Sequence, residues 1–190
     1  DMHMKLLDEQ TLLVGEFPTG QSDGPQLEAN LQYVLSNFNS VFGTPFKLAR
    51  IQMPSSTGGN YPPQAYYRTY TNSIFINKTV LVPTYRTEYD TIGLRIMNEL
   101  LPGYKIVGID CDNAGANIIS SSGALHCITK TIGVDDPLLI SHQSLEDTYD
   151  DVDPYLVEAF MKHRSGISQG TLYWTTDTTA GYIAIPMTDV

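Results

Sequence analysis

Two kinds of apolar spacing alternate along the first 110 residues. Residues 1–7 and 11–15 are short strand-like runs around a polar turn at Asp8, Glu9 and Gln10. Leu27, Leu31, Val34, Leu35, Phe38 and Val41 then recur at helical spacing, which predicts an amphipathic helix over about 25–41. Pro25 suits its first turn and Gly43 its end. Residues 46–53 alternate as a strand, and residues 54–64 form a loop rich in Pro, Gly and Ser. A loop that long in a compact domain is either a pocket rim or a surface excursion. Residues 66–76 and 79–82 predict a β-hairpin turning at Asn77-Lys78. Ile92, Ile96, Leu100 and Leu101 mark a helix over about 88–101, with Asp90 in its first turn and Pro102-Gly103 as its stop. Residues 105–109 are the next strand. The order strand, strand, helix, strand therefore occurs twice, over 1–53 and again over 66–110.

After Gly133 the pattern changes. Five Asp or Glu lie between Glu146 and Asp153, and residues 135–154 read as an acidic linker. Three β-rich runs follow, at 155–161, 170–175 and 181–187, separated by turn residues. With Trp174 on the middle run, they resemble the opening of an immunoglobulin-like sandwich.

Composition narrows the function. A formal net charge of −10 argues against a nucleic-acid partner and suits a cationic one. No apolar run approaches the ~20 residues of a membrane span. Cys111 and Cys127 permit one disulfide but no disulfide framework, and four scattered His with two Cys give no zinc-like spacing. Asn77-Lys78-Thr79 fits a glycosylation sequon, but on a hairpin turn it reads as chance.

The stretch with candidate chemistry is 117–130, where small residues lead to Gly123-Ala-Leu-His-Cys-Ile-Thr129. Its Cys127 has two readings from the residues alone: a buried small hydrophobe in a strand, or a nucleophile. If 125–129 is a strand, His126 faces away from Cys127 and is poorly placed as its base.

Taken with Tyr70-Thr-Asn72, with Val82-Pro83 after the next strand, and with 105–110, this stretch resembles the family of agmatine deiminases and bacterial-type peptidylarginine deiminases. The likeness runs from about Asp1 to Gly133. It implies an α/β fold, a partial five-bladed α/β-propeller (pentein) built of strand-strand-helix-strand blades. Residues 1–134 would be the C-terminal part of the catalytic domain, 135–154 the linker, and 155–190 the beginning of the Ig-like domain. It also implies hydrolytic deimination of a guanidine, turning peptidylarginine into peptidylcitrulline, or agmatine into N-carbamoylputrescine, with release of ammonia. Cys127 is then the nucleophile, Asp1 a carboxylate gripping the guanidinium, and Asn72 a residue beside the nucleophile. No cofactor or metal is implied.

The family's catalytic His precedes the Asp by two positions, ahead of Asp1, so the chain reads as cut from a longer one and inactive by itself without the N-terminal half of the domain. Agmatine-type members carry three Gly ahead of the nucleophile where this sequence has Ser121-Ser122-Gly123. That makes Ser122 a candidate substrate contact. The tail is similar to secreted family members and implies a secreted or periplasmic protein. A non-catalytic carbohydrate- or protein-binding module, with Cys127 structural, is the reading from another class.

Overall fold

Strand β2 (Thr11–Glu16) is apolar on successive residues because both of its faces are covered. Leu12 and Val14 pack with Leu31 of helix α1 (Gly24–Asn37), while Leu13 enters a core with Ile51, Tyr70, Val80, Val82, Met97 and Leu101. The structure is a computed structural model and describes the chain apart from residues 1, 22, 113–116, 122, 131–134, 144, 150–151 and 190. Strand β1 (Met4–Leu6) pairs antiparallel with β2. Asp8 closes the turn between them, its Oδ1 accepting from the N–H groups of Gln10 and Thr11 at 2.8 Å each. Helix α1 then carries the chain back to β3 (Lys47–Gln52), which runs parallel to β2.

The second unit repeats the order. Strands β4 (Ile74–Ile76) and β5 (Thr79–Thr84) form an antiparallel hairpin. Its turn needs the left-handed conformation that Asn77 adopts, with φ of 53°. Helix α2 (Thr87–Leu100) leads to β6 (Lys105–Asp110), parallel to β5. Asp90 in its first turn accepts from the Tyr85 N–H at 2.9 Å and from the Tyr70 hydroxyl at 2.9 Å. Val80 and Val82 face the core shared with the first unit, and Leu81 faces a smaller cluster of Cys111, Ile119 and Leu125. Gly93 lies where α2 crosses the Tyr70 ring: a Cβ there would sit 2.7 Å from a ring carbon.

Some expectations change. Helix α1 ends at Asn37, four residues early, because the Asn37 amide turns back to the Tyr33 carbonyl and the Ser40–Thr44 turn follows. Phe38 and Val41, counted as helical by spacing, are exposed. Of the predicted strand over 66–76 only β4 is a strand; 66–73 is irregular.

Within the stretch read as linker lies strand β7 (Leu139–Ser141), paired antiparallel with β8 (Phe160–Lys162). Lys162 bonds the Gln10 side chain at 3.0 Å and Lys47 lies over the Phe160 ring, so this pair meets the first unit. Strands β9 (Thr171–Trp174) and β10 (Ile183–Pro186) form a separate hairpin. Its Tyr173, Ile183 and Ile185 are exposed. Among the described residues no helix is long and apolar enough to cross a membrane.

Candidate active site

The polar run Arg68-Thr-Tyr-Thr-Asn-Ser73 is buried throughout, from 7% exposure at Arg68 to none at Asn72 and Ser73. Buried polar groups cost stability unless they are bonded, and here partners are supplied from several elements. Arg68 meets Asp112 in a two-pronged ion pair, Nε to Oδ2 at 2.5 Å and Nη2 to Oδ1 at 3.0 Å. The Tyr85 hydroxyl donates to the Thr69 carbonyl at 3.0 Å and accepts from its N–H at 2.9 Å. The Thr69 and Thr71 hydroxyls meet at 2.6 Å, and the Thr71 hydroxyl donates to the Met2 carbonyl at 2.9 Å. These local bonds satisfy the backbone where a strand ladder would have done so, which is why the segment is irregular.

The run ends by presenting Asn72. Its Oδ1 accepts from the His126 N–H at 2.9 Å, and the same N–H reaches the Asn72 carbonyl at 3.2 Å. Its Nδ2 donates to Cys127 Sγ at 3.1 Å and lies 3.4 Å from the Met2 sulfur. Residues His126–Ile128 form one turn of 3₁₀ helix, closed by the Thr129 N–H and hydroxyl bonding to the His126 carbonyl at 2.9 and 2.8 Å. The strand expected over 125–129 is therefore replaced by a turn, and the alternation of faces that set His126 against Cys127 does not apply there. Ala124 and Leu125 anchor the turn in the interior, whereas Cys127 is exposed. Gly123 makes room for it: a Cβ at that position would lie 3.1 Å from the Cys127 Cβ and 3.2 Å from its Sγ.

Lys5 of β1 bonds the residue that follows Asn72. Its Nζ donates to the Ser73 carbonyl at 2.6 Å, and burial pushes its ammonium down to about 8. His126 is also held below the usual imidazole range, first by burial and then by the Lys5 charge. His3 packs its ring edge-on to Tyr67 at 5.1 Å and is likewise lowered by burial. Cys111 differs from the exposed Cys127 in burial. It is buried, and burial with the nearby Asp110 pushes its thiol up to about 11. Neither cysteine is in a disulfide.

Of the residues singled out in the sequence, Cys127 and Asn72, 55 positions apart, are in contact; Asp1 and Ser122 lie outside the described residues. Sequence reasoning gave no role to Gly123 or to the Arg68–Asp112 pair. A Gly four residues ahead of an exposed Cys, and an Arg four residues ahead of Asn72, were the available signals. Among the described residues no group of three or more His, Cys, Asp or Glu is placed to hold a metal ion.

A protein of Lactococcus lactis subsp. lactis (strain IL1403) assigned as an agmatine deiminase is 34% identical over 62 residues, covering 33% of this chain and 16% of that protein. The crystal structure of a protein from Porphyromonas gingivalis assigned as an arginine deiminase matches with a TM-score of 0.54 at 25% identity, over 66% of this chain and 35% of its own. The agmatine deiminase of C. jejuni, solved with substrate bound in a form with one Cys replaced by Ser, shares the fold with a TM-score of 0.50 at 21% identity, over 66% of this chain and 34% of its own. The chain thus spans about a third of the length of these solved relatives. The sequence model of the Porphyromonas-type peptidyl-arginine deiminases matches residues 1–132, well over half of the chain, and the chain belongs to that family.

Proposed function

We propose that Cys127 is the nucleophile of a hydrolytic deiminase that replaces a guanidine nitrogen with oxygen. The observation that supports this most is the 3.1 Å bond from the buried Asn72 amide to an exposed thiol, since both residues lie in the motifs that carry the family likeness. In the first half-reaction the Cys127 thiolate attacks the guanidinium carbon. One nitrogen takes up a proton and leaves as ammonia, and an S-linked thiouronium remains. In the second half-reaction water adds to that carbon, gives up both of its protons, and its oxygen expels the thiolate, leaving the ureido product. Asn72 fixes the position of the sulfur and donates to it when it is charged. The resemblance assigns the grip on the planar cation to Asp1, whose carboxylate suits a fork of N–H donors. It assigns the proton transfers to a His two positions ahead of Asp1.

The substrate we favour is an arginine side chain in a peptide, following the name of the matching family. Agmatine is the second reading, supported by the Lactococcus relative. Ser122 as a substrate contact, the Ig-like nature of 155–190 behind a linker at 135–154, and a secreted or periplasmic location belong to the same proposal. They rest on the β-rich tail and on the Ser that replaces Gly.

The test is labelling of the full-length protein with a haloacetamidine, which mimics the guanidinium. Selective modification of Cys127, blocked by an arginine peptide and accompanied by ammonia release from that peptide, is the expected result. Protection by agmatine alone would transfer the assignment to the second substrate. Labelling no faster than at Cys111, insensitive to both, would sink the enzymatic reading.

A further inference from the structure

The Asn72 amide stands between a backbone donor and two sulfurs. Its Oδ1 accepts from the His126 N–H at 2.9 Å. Its Nδ2, with two hydrogens to give, faces Cys127 Sγ at 3.1 Å and Met2 Sδ at 3.4 Å. The side chain is fully buried, so these neighbours and not solvent decide which end of the amide points where.

Two of the three neighbours tolerate either orientation. The His126 N–H also reaches the Asn72 backbone carbonyl at 3.2 Å, so it keeps an acceptor if the side-chain amide turns over. A neutral thiol at Cys127 both donates and accepts, and bonds an oxygen or an amino group. Met2 does not have that freedom. A thioether has lone pairs and no hydrogen to give, so it meets Nδ2 favourably and opposes Oδ1. Its own backbone holds it in place: the Met2 carbonyl accepts from the Thr71 hydroxyl at 2.9 Å, and that hydroxyl meets Thr69 at 2.6 Å. Met2 is thus tied twice to the segment that presents Asn72, once through its main chain and once through its sulfur.

We infer that Met2 is a positioning residue for the nucleophile: its thioether, able to accept and unable to donate, keeps the amino end of the Asn72 amide turned toward Cys127 whether or not the thiol is ionised. This rests on the reading of Cys127 as nucleophile. In that reaction the sulfur is a thiolate before attack, is bound to carbon in the thiouronium, and is a thiolate again after expulsion. A donor that stays in place through all three states needs no reorientation when the charge returns. A methionine that only filled space would be exchangeable for leucine, of similar volume, with no change at the amide.

The experiment uses the full-length protein, with its asparagines labelled with ¹⁵N, as wild type, Met2→Leu and Cys127→Ser. Cys127→Ser should move one of the two Asn72 Nδ2 proton resonances, and Met2→Leu should move the other upfield as its acceptor is lost. Alkylation by iodoacetamide at pH 7, resolved by site with mass spectrometry, gives the consequence for sulfur. Met2→Leu should slow Cys127 about threefold or more, with the rate at Cys111 and the melting temperature nearly unchanged. In an Asn72→Ala background Met2→Leu should slow Cys127 no further, because the residue through which it acts is gone. Asn72 protons indifferent to Met2→Leu, or a slowing that persists in the Asn72→Ala background, overturn the inference alone. A wild-type Cys127 that a haloacetamidine labels no faster than Cys111 overturns the nucleophile reading and this inference with it.

Discussion

Asn72 holds two consecutive residues of one turn with the two ends of one amide, accepting from the His126 N–H at 2.9 Å and donating to Cys127 Sγ at 3.1 Å. The side chain is fully buried, so its orientation is set by the fold and not by solvent.

Changing Asn72 should therefore alter reactivity and stability in separable ways. Asn72→Asp keeps the acceptor for His126 but places a carboxylate beside the sulfur. That raises the thiol midpoint and should lower Cys127 alkylation at pH 7 by roughly tenfold or more. Asn72→Ala removes both bonds from a buried site and should cost about 1–3 kcal/mol in urea unfolding. If Asn72→Asp alkylates at the wild-type rate, the amide is not the sulfur's donor in solution.

Two glycines give an internal contrast. A Cβ at Gly123 meets the Cys127 side chain at 3.1–3.2 Å, a tight contact with an exposed group that is able to move. Gly123→Ala should leave the melting temperature nearly unchanged while displacing Sγ from the Asn72 amide and slowing its alkylation. A Cβ at Gly93 would lie 2.7 Å from the buried Tyr70 ring. Gly93→Ala should destabilise by roughly 1–3 kcal/mol through overpacking, with Cys127 chemistry preserved in whatever protein remains folded. Thermal melts and alkylation rates on both variants read the two effects separately.

The Arg68–Asp112 pair is the strongest anchor of the segment that presents Asn72, with side chains only 8% and 10% exposed. Removing one partner strands the other charge in the interior. Asp112→Ala should thus cost about 3–5 kcal/mol, while the exposed pair Arg95–Glu99 on α2 should cost well under 1 kcal/mol when broken by Glu99→Ala. Equal effects in chemical denaturation would show that burial of the Arg68 pair is not maintained in solution.

The repeated strand, strand, helix, strand order was legible because it rests on periodicity, and both parallel pairings follow from it. Leu12, Leu13 and Val14 could be read as a strand without knowing which face met which helix. The site was legible only in its endpoints, Asn72 and Cys127. The segment that presents Asn72 is a loop of buried Arg, Thr and Tyr whose conformation depends on Asp112, Tyr85 and Met2, partners that no local pattern announces. The turn at His126–Ile128 escaped for a related reason. Apolar residues flank it as they would a strand, but its backbone is bent by the Asn72 bond and by Thr129.

The two cysteines should also separate in how each couples to folding. Cys111 is 2% exposed, its Sγ donates to the Ile109 carbonyl at 3.3 Å, and burial aided by Asp110 pushes its thiol up to about 11 from an ordinary value of 9.0. Below pH 9 the thiol is protonated whether the chain is folded or not, and its titration does not affect stability. Between about 9 and 11 the unfolded chain releases that proton while the folded one retains it, so the folded state binds more protons and stability falls as pH rises. Cys111→Ala lacks this group. It should be less stable than the wild type at pH 8, from the lost packing with Ile119 and Leu125, and the deficit should shrink steadily toward pH 11. Urea unfolding of both proteins under reducing conditions at several pH values measures the difference directly. Tyrosines and lysines titrating in the same range cancel between the two proteins. A deficit that stays constant from pH 8 to 11 would mean that the Cys111 thiol ionises as readily in the fold as in the unfolded chain.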